Sequence, residues 1–242
     1  MFHDILNDFK VMEASAGQAL SSPSGADGFG NDRAVHVAGY DGDVMEVFAS
    51  RDGKYLFFNS MKLKGKSKDL FYATRFDDYN FQFQGEVKSV NTKDVEGVPT
   101  MDRHGNFFYV TTHGYTPKNL VTMYQGQFKD GDVKNIRPLK ELSLNKAGWL
   151  NMDSEISDDG QTLYSTQSYF EKGNHFPSRS YFFYAKKQGD RFVPQEDSTR
   201  IFKNLNKSNT VYGASISKDE LEIFYTRLGA NGTSIESLWA TR

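Results

Sequence analysis

The sequence predicts an all-β protein, a β-propeller of about four recognisable four-stranded antiparallel blades. Three observations predict it. A turn motif of the form Ser-x-Asp-Gly followed by an apolar, aromatic strand recurs with turn positions at 53, 105, 160 and 220. Each turn sits inside a unit of four short strand-like runs. The chain also carries 20 Phe, 13 Tyr and 2 Trp with 21 Gly and only 6 Pro, a balance that favours strands separated by glycine turns.

The clearest copies are Ser50-Arg51-Asp52-Gly53-Lys54-Tyr55-Leu56-Phe57-Phe58 and Ser157-Asp158-Asp159-Gly160-Gln161-Thr162-Leu163-Tyr164-Ser165. The second unit begins its turn with Asp102 and keeps Gly105. The fourth begins with Ser217 and has Glu220 where the others have glycine. A second submotif, Phe71-Tyr72-Ala73-Thr74-Arg75, returns as Leu238-Trp239-Ala240-Thr241-Arg242 at the offset that relates Ser50 to Ser217, so the first and last units align without a gap. In the first unit the strands are expected at 44–49, 54–59, 70–74 and 81–90. The units run over about 44–94, 95–150, 151–210 and 211–242. A single four-stranded sheet buries neither face alone and must stack on its neighbours, which is what the aromatic residues supply.

Residues 1–43 form an N-terminal segment. The fourth unit reaches residue 242 after its third strand, so a strand within 5–20 is expected to complete its sheet and remove an open edge. Phe2, Ile5, Leu6 and Phe9 equally give the apolar stripe of a short amphipathic helix. Residues 15–32, rich in Ser, Gly, Ala and Asp, read as a loop. A piece of a longer five-bladed propeller is the alternative to a four-bladed ring.

The turn motif and the terminal Leu238-Trp239-Ala240-Thr241-Arg242 resemble the TolB-type, WD40-like (PD40) propeller repeat over roughly residues 44–242. The resemblance implies a blade, and carries no catalytic residue onto the chain. It also implies a bacterial protein, often periplasmic or extracellular, acting as a protein-interaction module.

With 29 Lys and Arg against 31 Asp and Glu the chain lacks the basic excess that phosphate binding needs, so no nucleic-acid partner is expected. The longest apolar run is the five residues Tyr181 to Ala185, far below the about 20 of a spanning helix. No transmembrane segment and no signal peptide are visible. Zero Cys leaves no disulfide, thiol nucleophile or cysteine-bound zinc. The Asp-Gly pairs are turn dipeptides rather than calcium loops. His104 and His113 lack the close companion ligands of a metal site. Neither a metal nor a cofactor is expected, and nucleophile-elbow and phosphate-loop motifs are missing.

The carboxylates before the turns carry the remaining chemistry. The first strand of each blade lines a propeller's channel, and it holds Glu46 in the first unit and Asp153 at the aligned place in the third, with Glu155 two residues on. Paired acids across a channel are what glycoside hydrolysis requires. In the connection 166–180, Tyr169, Phe170, His175 and Phe176 offer rings to stack a sugar or anchor a partner. The main expectation is a non-catalytic binding module with a protein or carbohydrate ligand at the channel face. The alternative is a five-bladed-type glycoside hydrolase using Glu46, Asp153 and Glu155.

Overall fold

The computed structural model describes residues 33–61, 67–174, 176–207, 210–228 and 235–241. Its strands are β1 (His36–Ala38), β2 (Met45–Ala49), β3 (Tyr55–Met61), β4 (Lys68–Arg75), β5 (Asn80–Glu86), β6 (Glu96–Met101), β7 (Asn106–Thr111), β8 (Met123–Lys129) and β9 (Asp132–Pro138). These are followed by β10 (Trp149–Ile156), β11 (Thr162–Tyr169), β12 (Arg179–Gln188), β13 (Arg191–Pro194), β14 (Val211–Ile216), β15 (Glu222–Leu228) and β16 (Ile235–Thr241). They form four antiparallel meanders, β2 to β5, β6 to β9, β10 to β13 and β14 to β16. The first strands of successive sheets lie against one another, β2 on β6, β6 on β10 and β10 on β14, which makes them the inner strands of a propeller.

The recurring turn is held the same way in each blade. The amide of Gly53, Gly105, Gly160 and Glu220 donates to the carbonyl of Ser50, Asp102, Ser157 and Ser217, respectively. All four residues have positive φ, between 58° and 80°, so glycine is the low-strain choice there. In the first, third and fourth turns the serine hydroxyl donates to the aspartate two residues on and accepts the amide that opens the next strand. In the second turn the Asp102 carboxylate takes both roles, accepting from the amides of His104 and Asn106. The second unit, whose turn begins with Asp102 in place of serine, thus builds a complete sheet, because one carboxylate supplies what Ser and Asp share elsewhere.

Gly160→Ala is expected to destabilise by roughly 1–3 kcal/mol, since it adds a Cβ at φ +73° directly against the Asp102 carboxylate. Gly189→Ala, at φ +61° with nothing within 4 Å, is the control and costs less. Urea unfolding of the two variants measures the difference.

Pairs of consecutive aromatics follow from burial of both faces of each sheet. Phe57 packs toward the second sheet with Phe107 and Phe128 at centroid distances of 5.1 and 4.9 Å, while Phe58 packs on the opposite face with Leu56, Ala73 and Val37. Phe108 belongs to the layer between the second and third sheets with Leu163 and Phe183. Phe182, one residue earlier, faces the fourth sheet with Val211 and Ile223. Strand alternation sends neighbours to opposite faces, so a strand buried on both sides reads as an uninterrupted apolar run.

Two expectations need correction. β11 continues to Tyr169 and β12 starts at Arg179, so the connection expected at 166–180 is shorter than that. Before the first expected blade strand, β1 adds in parallel to β5 at the outer edge of the first sheet. The strand or helix expected within 5–20 lies outside the described residues.

Candidate functional site

Counted back from the turns, Glu46, Val98, Asp153 and Gly213 occupy the same place on the four inner strands. Each inner strand carries a bulge in this region, between Met45 and Phe48, Gly97 and Thr100, Asn151 and Asp153, and Tyr212 and Ser215. Glu46, Val98 and Gly213 have φ of 48°, 51° and 64°. A bulge takes an amide out of the ladder and leaves it needing an acceptor. The acidic residues provide it across the blade boundary. Glu46 Oε2 accepts from the Val98 amide at 3.0 Å, and Asp153 Oδ2 accepts from the Gly213 amide at 2.9 Å. The first blade's acid thereby pins the second blade, and the third blade's acid pins the fourth.

Glu46 has two further partners. Asn59 Nδ2 donates to Oε2 at 2.5 Å, and Lys68 Nζ lies 3.6 Å from Oε1. Lys68 is buried, and the Glu46 carboxylate and the Asn59 amide occupy the space that Gly97 leaves. A Cβ at Gly97 would come within 2.5 Å of Glu46 Oε2, so the close approach needs a glycine. These residues line a cavity of about 30 Å³ beside the Glu46 carboxylate, the size of one or two water molecules.

Asp153 is buried, and burial pushes its pKa up to about 6. The Gly213 amide pulls it down and the Glu46 charge raises it, so the two acids feel each other across the axis. Glu155, on the same strand, is committed differently. Arg51 Nη2 donates to its Oε1 at 2.5 Å and to the Ile156 carbonyl at 3.3 Å, while Nη1 reaches the Ile216 carbonyl at 3.2 Å. Thr100 Oγ1 donates to Glu155 Oε2 at 3.4 Å, and the Ile216 amide also reaches the carboxylate. Burial raises Glu155 to about 7, against the pull of Arg51. Through Arg51, Thr100 and the Ile216 backbone the Glu155 carboxylate links all four described blades, so it is held in a structural ion pair.

The axis meets solvent on the side of the first and fourth blades. Val47 is 54% exposed, and Ala49, Gly213 and Ser215 are exposed as well, whereas Thr100 and Glu155 in the middle blades are buried. At the start of β10, Trp149 packs with Tyr169 at 5.3 Å and Tyr181 at 5.8 Å, both half-buried, with the Tyr181 hydroxyl donating to Gln167. Of the four ring residues expected to meet a ligand, Tyr169 joins this cluster and Phe176 is 52% exposed. Phe170 is only 2% exposed and packs with Leu150, which leaves no ring face for a ligand; this corrects its expected role. His175 lies outside the described residues. His113 Nδ1 is 2.8 Å from Asp94 and His104 contacts Arg103, so the two histidines have separate partners.

Sequence reasoning missed Arg51, Asn59, Lys68 and Gly97. Arg51 lies in the repeated turn motif, directly after the serine that follows the inner strand, and the sequence gives no sign that its guanidinium reaches the third and fourth blades. Asn59 and Lys68 carry no such signal, since they lie on the second and third strands and reach the axis only by packing.

No protein-family model matches the chain, and no curated protein sequence matches it. Solved structures show the fold. An endo-arabinase of Bacteroides thetaiotaomicron is similar with TM-score 0.52 at 12% identity, over 81% of this chain and 73% of that one. The GH43 endo-arabinanase of Bacillus licheniformis is similar with TM-score 0.51 at 8% identity, over 81% and 71%. The chain spans about half of a hydrazine synthase chain of Kuenenia stuttgartiensis, 49%, with TM-score 0.43 at 14% identity. The likeness to the first two, at these identities, shows the fold alone, a β-propeller.

Proposed function

We propose that the propeller axis is a carbohydrate site at which Glu46 and Asp153 form the acid pair of a glycoside-hydrolysing centre. One observation carries this reading: the two acids hold the same place, counted back from the turn, at the bulges of the inner strands of the first and third blades, and the charge of one raises the pKa of the other. Asp153, still protonated in part near pH 6, suits the general acid that delivers a proton to the leaving oxygen. The Glu46 carboxylate, beside Lys68, suits the partner that takes a proton from the attacking water or attacks the sugar itself. The proposal replaces the non-catalytic module as the leading reading. That the similar propellers include endo-arabinases makes a pentose polymer the first substrate to try. The TolB-type character of the turns concerns how the blades are built and adds no residue to this chemistry.

The test is a panel of arabinan, other oligosaccharides and aryl glycosides with the wild type, Asp153→Asn and Glu46→Gln. Asp153→Asn is expected to lower turnover by about 10²–10⁴-fold, with a smaller loss on aryl glycosides whose leaving group needs little protonation. Glu46→Gln is expected to lower it on both. Saturable sugar binding without turnover in the wild type rejects the acid pair and restores the binding module. Absence of both rejects the carbohydrate site.

A further inference from the structure

The small cavity beside Glu46 has a buried acceptor in its wall. Asn59 is fully buried, and its Nδ2 donates to Glu46 Oε2, which fixes the other amide atom, Oδ1, as an acceptor. That Oδ1 is itself buried and accepts no hydrogen bond among the described residues. Such an atom requires a donor. The rest of the lining offers none from its apolar side, which consists of Val95, Val110 and Met152. Met152 is the residue in the β10 bulge directly before Asp153, so the cavity lies between the first acid and the strand that carries the second.

The two oxygens of Glu46 are committed unevenly. Oε2 accepts from both Asn59 Nδ2 and the Val98 amide, which takes its two acceptor sites. Oε1 has Lys68 Nζ at 3.6 Å, beyond hydrogen-bond length, and keeps an open site. The Glu46 side chain is 37% exposed, so it meets the axis as well as the cavity.

We propose that the cavity holds the water that attacks the sugar, with Asn59 and Lys68 as its positioning residues, and that hydrolysis therefore proceeds with inversion at the anomeric carbon. This rests on the acid pair at the axis and makes Glu46 the base of that pair. The water donates to Asn59 Oδ1 and to Glu46 Oε1 and accepts from Lys68 Nζ, three partners being usual for a buried water. Its second lone pair is left for the anomeric carbon. The water oxygen bonds to that carbon while one of its protons passes to Glu46; the bond to the leaving oxygen breaks, and that oxygen takes the Asp153 proton. The sugar leaves as a hemiacetal and the leaving group as its alcohol, with Glu46 protonated and Asp153 ionised until solvent restores both. Oε2, with both sites taken, is unavailable as a nucleophile, and the water occupies the open site of Oε1.

The experiment uses the whole protein with arabinan and aryl glycosides, and reads the configuration of the first-formed product by proton NMR together with kcat and KM. The wild type is expected to release the inverted anomer. Val110→Ile adds one methylene to the cavity wall, away from the hydrogen bonds of Glu46, and displaces the water. It should lower kcat by about 10²-fold on both substrates with KM unchanged. Asn59→Ala should act in the same direction, and Val110→Ile keeps the test decisive if loss of the buried amide unfolds the blade; melting temperatures of both variants check this. A retained configuration, a wild-type kcat in Val110→Ile, or a loss carried by KM instead of kcat overturns the water site and leaves the acid pair standing. No turnover of either substrate by the wild type rejects the acid pair and the water site with it.

Discussion

Arg51→Met is expected to be the most damaging single substitution at the axis. It removes the guanidinium that reaches the Glu155 carboxylate and the carbonyls of Ile156 and Ile216, joining the first blade to the third and fourth. A buried carboxylate left without its partner costs about 3–5 kcal/mol. For a chain of this size that lowers the melting temperature by on the order of 10 °C. The loss should be smaller at pH 5 than at pH 8, because Glu155 then escapes the penalty by binding a proton. Adding Glu155→Leu to Arg51→Met should restore part of the stability, since no buried charge remains. Thermal melts of the single and double variants across that range give the answer; a single variant that melts like the wild type at pH 8 rules out the clamp.

The second large effect is a stability that falls as pH rises through the neutral range. Asp153 and Glu155 have folded pKa values of about 6 and about 7, both above their ordinary values of 3.8 and 4.5 because they are buried. A carboxyl raised on folding binds its proton more tightly in the native state. Its contribution is therefore complete below the unfolded pKa and is lost as pH rises through the folded one. Each rise corresponds to an upper limit of roughly 3 kcal/mol. Asp159 and Asp219 act in the other direction. Hydrogen bonds from Ser157 and Ser217 hold them below their ordinary value, so their contribution is lost as pH falls through their folded pKa values. The stability maximum should accordingly lie near pH 4–5, with a decline up to about pH 7. Asp153→Asn keeps an acceptor for the Gly213 amide and removes the titrating group, so it should flatten part of that decline and exceed the wild type at pH 8. Urea unfolding at intervals from pH 3 to 8 measures both curves; a wild-type curve that rises from pH 5 to 8 contradicts the burial of these two acids as charged-state penalties.

Much of the fold was legible because its information is local and repeated. A Ser or Asp at the end of a strand, an acceptor two residues on and a glycine at positive φ specify a turn within a few residues. Repetition of that turn at 53, 105, 160 and 220 marked the four described sheets and their common register, and the register aligned Glu46 with Asp153. The aromatic excess pointed to sheets that must stack, and the structure shows how the paired phenylalanines at 57 and 58 and at 182 and 183 divide between the two faces of one sheet. The Glu220 exception was visible as a broken motif, though its partner Tyr164 was not.

What the tertiary structure decided lies across the axis, between residues that no periodicity connects. Arg51 and Glu155 are 104 positions apart. Alternation along β10 made Asp153 and Glu155 look alike, yet packing gave one a bulge amide and the charge of Glu46, and the other a guanidinium. The same holds for Phe170, whose ring looked available in a loop and is instead enclosed by Leu150 of the adjoining strand. Strand chemistry by itself determined which elements form and in what order, because backbone hydrogen bonding and side-chain alternation act over a few residues. The setting of each acid depends on burial and on the charges of other blades, and those exist only once the sheets have packed together.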